Sequence, residues 1–140
     1  MKKIVSLFIC TICFLSFSLV SFGEDSDIHR SEKSNEYLCS SVCRIDLYKN
    51  NKLEISGYTE SLEKADTISI KIYLQKYDKK SRVWRIFRTV SASEKNSDFV
   101  ICSKTYKVTP GLYRAKAYHS LKKGSTKESE RNSTKIIEVN

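Results

Sequence analysis

The sequence predicts an all-β protein: a single antiparallel β-sandwich of about seven short strands, preceded by a signal peptide. Three observations carry that prediction. Ile68, Ile70, Ile72 and Leu74 recur at every second position, with Ser69, Lys71 and Tyr73 between them. This is the period of a half-buried strand, whereas a helix would scatter the same residues around its circumference. Tyr113, Ala115 and Ala117 repeat the pattern further on. Polar turn signals separate the apolar runs at short spacing, and no amphipathic helical stretch of useful length competes.

The first element is the apolar run Ile4 to Val20, broken only by Ser and Thr. Lys2 and Lys3 precede it, and Ser21-Phe22-Gly23 then places small residues at the two positions a signal peptidase reads. The run is about 17 residues long, at the short limit for a spanning helix, so residues 1–23 read as a signal peptide cut after Gly23. Cys10 and Cys13 sit too early for a lipoprotein cleavage point. No second stretch is long enough to span a bilayer, so the product is expected to be secreted, extracellular or associated with the cell surface. Residues 24–42 are polar and charged and read as a flexible linker; residues 43–140 form the domain.

Within that domain, strand A is expected near 43–48 and strand B over 51–58, joined by the turn signal Asn50-Asn51. Strand C spans 67–76, and Asp78 to Arg82 makes a polar turn. A C′ or D strand follows over 82–91, with Trp84 and Ile86 on one face, Arg85 and Phe87 on the other, and Trp84 turned inward as a core anchor. Ser91 to Ser97 reads as a polar loop, and Ser61 to Ala65 is short enough to make one helical turn. Strand E covers 98–108, with apolar residues on both parities. Pro110-Gly111 turns the chain into strand F at 112–121, and strand G closes it at 133–139.

A Tyr just after a Pro-Gly turn, followed by small inward residues, resembles the tyrosine corner of immunoglobulin-like and fibronectin type III-like sandwiches. That resemblance implies a ring packed at one end of the sandwich and a hydroxyl bonded to a backbone carbonyl upstream. Leu53-Glu-Ile-Ser-Gly57-Tyr-Thr59, Ile70 to Lys76 with Trp84 shortly after, and Gly111 to His119 extend it. Together they resemble an uncharacterised family (a domain of unknown function) of small secreted proteins from Gram-positive, clostridia-like bacteria. The resemblance implies a fold and a location, and supplies no site residues.

The chain carries 25 Lys and Arg against 16 Asp and Glu, a formal charge of +9. Signal cleavage removes two of those cations and no acid. A basic exported protein is drawn to anionic surfaces. Cys39, Cys43 and Cys102 survive cleavage, and export permits a disulfide. A bond between Cys43 and Cys102 would close a loop of about 60 residues and stabilise by roughly 2–4 kcal/mol. Cys39 is the alternative partner for Cys102, and a small Cys39–Cys43 ring is a third arrangement. The Cys39–Cys43 spacing has no His or second Cys pair to complete a metal site, so no metal and no cofactor are expected.

Catalysis is not expected either. His29 lies in the polar linker and His119 reads as a strand-end histidine bonded to backbone or water. No serine sits in a nucleophile elbow, and no pair of carboxylates has a spacing that argues for convergence. Binding is the better reading. If strands C, C′ and F share a sheet, their outward residues are Lys71 and Tyr73, Arg85, and Arg114, Lys116 and Tyr118, a flat face of cations interleaved with aromatic rings. Lys122, Lys123, Lys127 and Arg131, mixed with Glu128 and Glu130, read as a solvated loop. The sequence therefore points to a non-catalytic extracellular or cell-surface interaction module. Its partner would be an extracellular protein or an anionic cell-wall polymer, with no nucleic acid expected. The alternative is a secreted effector: a toxin, a bacteriocin-type factor or its immunity partner.

Overall fold

The computed structural model describes residues 35–140. The expected signal peptide, and residues 24–34 of the expected linker, lie outside the described residues. The described chain is all-β. Its strands are β1 (Leu38–Tyr48), β2 (Lys52–Asp78), β3 (Val83–Lys107), β4 (Gly111–Lys123), β5 (Thr126–Ser133) and β6 (Ile137–Val139), joined into one curled antiparallel sheet. Every pairing is antiparallel.

The long strand β2 organises the sheet. Its first half, Lys52–Glu60, lies between β1 and the second half of β3. Its second half, Thr67–Lys76, lies between the first half of β3 and β4, and β4 in turn carries β5 and β6. Between the halves the β2–β3 register slips at Glu60/Ala65. Leu53, Ile55, Gly57 and Thr59 are buried before the slip, and Ile68, Ile70, Ile72 and Leu74 after it. The inward parity has changed from odd to even, as an irregularity of this kind requires. The strand folds over itself, so that the tips of Ile70 and Ile72 lie against Gly57.

This continuity accounts for the strand count. The expected B and C strands are the two halves of β2, and the expected D and E strands are the two halves of β3, while the expected final strand at 133–139 shortens to β6 and β5 forms in a stretch expected to be loop. Ser61 to Ala65 is extended rather than helical, held by the Leu62 N–H donating to the Tyr37 carbonyl at 2.8 Å. Ser91 to Ser97 is strand rather than loop, paired with β2 from Lys71 back to Ala65. Its polarity follows from its position at an edge, where only Ala92 packs against the core and Ser91, Ser93, Glu94 and Lys95 face solvent.

Strand β1 begins at Leu38, inside the segment expected to be linker. Side chains supply the reason. The Glu128 carboxylate accepts the backbone N–H groups of Glu36, Tyr37 and Leu38 at 2.7–3.2 Å. Asn132 Nδ2 donates to the Ser41 carbonyl at 3.2 Å. A largely polar segment is thereby ordered by charge-assisted bonds to β5, together with the burial of Leu38 and the packing of Tyr37 on the core.

The core is Ile45, Leu53, Ile55, Ile68, Ile70, Ile72, Leu74, Val100, Tyr113, Ala115, Ala117, Leu121 and Val139, with Cys102 at its margin. The Tyr113 hydroxyl donates to the Thr109 carbonyl, four residues upstream, at 2.8 Å. Its fully buried ring meets Phe87 edge-on at 6.0 Å.

The three thiols are free: Cys39 is exposed, Cys43 half-buried and Cys102 buried. The expected disulfide is absent for a topological reason. Cys43 and Cys102 both pair with Gly57, on its two opposite sides. Two strand spacings, about 9.5 Å, separate their backbones, against the roughly 4.4–6.8 Å a bonded pair needs. Cys39 and Cys43 lie four residues apart on an extended strand, about 13 Å. Burial first, then the neighbouring Cys102, pushes the Cys43 thiol up to about 12; burial also raises Cys102.

Candidate functional site

The outward face of β3, β2, β4 and β5 collects most of the residues singled out from the sequence. On β2 the burial of Ile68, Ile70, Ile72 and Leu74 turns Ser69, Lys71, Tyr73 and Gln75 the other way. On β4 the burial of Tyr113, Ala115, Ala117, His119 and Leu121 does the same for Arg114, Lys116, Tyr118, Ser120 and Lys122. The register then sets Lys71 opposite Tyr118, Tyr73 opposite Lys116 and Gln75 opposite Arg114. A cation therefore opposes a ring in two successive outward rows, at directly opposed positions where side chains touch.

β5 continues the face. Arg131 pairs with Tyr118, Ser129 with Ser120 and Lys127 with Lys122. The segment expected to be a solvated loop of mixed charge is thus a strand, and pairing sorts its charges. Lys127 and Arg131 share the parity of the basic face, while Glu128 and Glu130 pair with the inward Leu121 and His119. The outward rows at Thr67, Ser69, Lys71, Tyr73 and Gln75 carry Lys71, Lys95, Arg114, Lys116, Lys122, Lys127 and Arg131 and no carboxylate. A shallow depression of about 260 Å³ lies on this face, lined by Thr67, Tyr118, Ser120, Lys122, Lys127 and Ser129 among others.

Arg85 does not join the face. The β2–β3 register slips between Leu74, opposite Arg88, and Gln75, opposite Ile86, leaving Phe87 as the extra residue of a bulge. An unbroken register would have set Arg85 on the outward side and Trp84 inward. The slip exchanges them: Trp84 pairs with the outward Tyr77 and Arg85 with Lys76. Trp84 is therefore no core anchor. It lies on the basic face, 5.3 Å from the Tyr77 ring, with the Arg114 guanidinium 4.3 Å over its own ring. Arg85 instead donates from Nε to Asp78 Oδ2 at 3.0 Å. The Ser81 hydroxyl first, and Arg85 second, hold the Asp78 carboxyl down to about 2. Asp78 and Arg85 line a separate pocket of about 440 Å³ with Lys76, Tyr77, Ile86 and Phe87.

Three of the four rings of the face have a cation on them; the fourth, Tyr77, packs against Trp84 instead. Lys71 Nζ lies 5.8 Å from the Tyr73 centroid, Arg131 5.5 Å from that of Tyr118 and Arg114 4.3 Å from that of Trp84. Arg114 Nε also donates to Gln75 Oε1 at 2.9 Å, and burial lowers its pKa from the ordinary value without discharging it. Among the described residues, none of the seven cations is in a salt bridge with a carboxylate.

His119 lies away from this face, fully buried in mid-strand rather than at a strand end. Its partners are side chains: Thr59 Oγ1 is 2.8 Å from Nδ1, and Asn132 Oδ1 is 3.2 Å from Nε2. Because Asn132 spends its Nδ2 on Ser41, its oxygen faces the ring and assigns the imidazole proton to Nε2. Nδ1 then shares the single Thr59 hydroxyl proton with the Ser69 carbonyl, which lies 3.3 Å from the same oxygen. Burial pushes the His119 pKa down, against smaller opposing effects of Asn132 and Glu130. With both nitrogens bonded and no solvent exposure, His119 ties β2, β4, β5 and β1 together and has no route to an external substrate.

Among the described residues no group of three His, Cys, Asp or Glu side chains is placed to hold a metal ion. No match to a protein-family model or to a curated protein is found for the chain.

Trp84, Lys95, Lys122, Lys127 and Arg131 are the site residues that the sequence reading missed. The period-two sequence Lys127, Ser129, Arg131 against Glu128, Glu130, Asn132 was the available signal for the last two. No sequence signal marks the Phe87 bulge.

Proposed function

We propose that this protein is a non-catalytic interaction module that works outside the cytosol and engages an anionic macromolecule, a partner protein or a wall polymer, through the β3–β2–β4–β5 face. The observation that carries this reading is the sorting of seven cations onto one four-stranded face with no carboxylate in its outward rows from Thr67 to Gln75. A surface of one sign concentrates oppositely charged partners and speeds their encounter. Export of the mature chain is supported by the N-terminal sequence pattern.

We further infer that the curled sheet is an immunoglobulin-like sandwich, with β1 and the facing halves of β2 and β3 as one layer and the remaining strands as the other. The Tyr113 to Thr109 bond and the contact of Ile70 and Ile72 with Gly57 support that reading, since a tyrosine corner and an inter-layer core are its expected marks.

Retention on purified cell walls, and on an acidic protein matrix, tests the function. Binding is expected to fall steeply between about 50 and 200 mM salt, and replacement of Arg114 and Lys116 by Ser is expected to weaken it about tenfold or more. Retention that ignores salt, or that is unchanged in the double variant, refutes the assignment.

A further inference from the structure

We propose that the ligand of this face is a linear, base-free polyphosphodiester, and that the aromatic rings serve to hold the cations rather than to stack on the ligand. This inference rests on the functional reading above and narrows it.

Two observations carry it. The first is the state of the rings. Trp84, Tyr73 and Tyr118 each have a cation of this chain over the ring, at 4.3, 5.8 and 5.5 Å, and Tyr77, the remaining ring of the face, packs against Trp84 with centroids 5.3 Å apart. A sugar or a nucleobase stacks on an aromatic face that is open to it. Here it would have to displace Arg114, Lys71 or Arg131 first. What the face offers an incoming molecule is the outer side of those cations: Arg114 has used Nε on Gln75 and keeps its terminal nitrogens for an anion. A side chain stiffened against a ring also loses less freedom on binding. The outward rows from Thr67 to Tyr73 carry no aliphatic side chain, and Ile86 beside Gln75 lies at the margin, so the face lacks the apolar centre a protein partner would need and the apolar groups a lipid surface would need.

The second is charge density. Arg114 and Lys116 follow one another at alternate positions of β4, about 7 Å apart, and neighbouring strands repeat the pattern about 4.8 Å to the side. The face extends from Thr67 to Gln75, about 27 Å. Seven cations in that area match a polymer with one full charge on each short repeat. A phosphodiester chain on a small alcohol has that property, and one tetrahedral anion can bridge an Arg of one strand and a Lys of the next.

The test is a binding titration of the protein with four probes at matched anion concentration: poly(glycerol phosphate), a polyuronate, oligo-dT and phosphatidylglycerol vesicles. The expected result is binding to poly(glycerol phosphate) tighter than to polyuronate or vesicles and no weaker than to oligo-dT. The slope of log K against log salt should fall by about 0.7 for each of Lys116→Gln and Arg131→Gln. Tyr118→Leu is expected to weaken binding about threefold alone and to add nothing to Arg131→Gln, because ring and cation act as one unit. Additive losses would put the ring on the ligand and overturn the inference. Preference for oligo-dT, for polyuronate or for vesicles overturns it as well, while leaving the basic face as the contact surface. Absence of salt-dependent binding to all four overturns both readings.

Discussion

Gly57 is where the two halves of β2 come closest, and Gly57→Ala should reveal what that approach contributes. A Cβ built there would meet the Val42 carbonyl oxygen, Ile70 Cδ1 at 2.9 Å and Ile72 Cδ1 at 3.2 Å. The two isoleucine tips can turn aside. The Val42 oxygen cannot, because Val42 is a backbone partner in the β1–β2 ladder, so β1 itself must shift. Overpacking by one methyl in a tight core costs about 1–3 kcal/mol, and a required backbone shift places this site near ~3 kcal/mol. For a domain of about 100 residues, that lowers Tm by roughly 12–24 °C. Urea unfolding followed by far-ultraviolet circular dichroism should show a lower midpoint with an unchanged slope. Gly124→Ala is the control: its φ is +56° and nothing lies within 4 Å of the added Cβ, so only a backbone cost of about 1 kcal/mol applies. If Gly57→Ala loses no more than Gly124→Ala, the close approach of the Val42 carbonyl to Gly57, on which the predicted cost rests, is wrong.

Tyr113→Phe removes the bond to the Thr109 carbonyl while keeping the ring under Lys76; a loss of about 1 kcal/mol is expected, read as a Tm drop of roughly 4–8 °C, and an unchanged Tm refutes the role of that bond. His119 has its pKa lowered by burial, so its folded state resists protonation more than the unfolded chain, whose histidines titrate near about 6.5. The stabilisation is complete above that pH and is lost as pH falls through the folded value. Urea midpoints should drop from pH 7.5 to pH 5, and His119→Gln should flatten that dependence; an equally steep dependence in the variant excludes His119 as its source. Alkylation of the native protein followed by mass spectrometry should label Cys39 quickly and Cys43 and Cys102 slowly, since thiolate is the reactive form and burial raises both of the latter. A cross-linked peptide joining Cys43 to Cys102 in unreduced protein would contradict the strand order around Gly57.

Much of the sheet was legible because burial on one face imprints a period of two. Ile68 to Leu74 and Tyr113 to Ala117 announced both their strands and their outward residues, and five of the six expected binding residues share the face those patterns imply. The turns were legible at Asn50 and Asn51, whose φ angles of 62° and 53° need residues tolerant of that region. Legibility ended where structure came from a neighbour. The charged run from Lys127 to Arg131 carries no apolar stripe, so composition alone made it a loop; only β4 alongside it turns it into a strand. Leu38 to Val42 is strand because it pairs with β2 from Ser61 back to Tyr58, and because Glu128 and Asn132, some ninety positions later in the chain, bond its Leu38 N–H and Ser41 carbonyl. Trp84 and Arg85 changed places through the extra residue Phe87, because in a pleated strand one added position exchanges the faces of everything beyond it.

The order of side chains along the chain by itself determined the all-β character, the strand cores and the excess of positive charge, since each depends only on local alternation and composition. Tertiary pairing decided which cations became neighbours, which acids were turned away from them, and that the thiols of Cys43 and Cys102 stand on either side of Gly57 without reaching each other. The physical reason is that register is a property of two strands together: a one-residue slip costs little locally but reassigns every side chain beyond it to the opposite face.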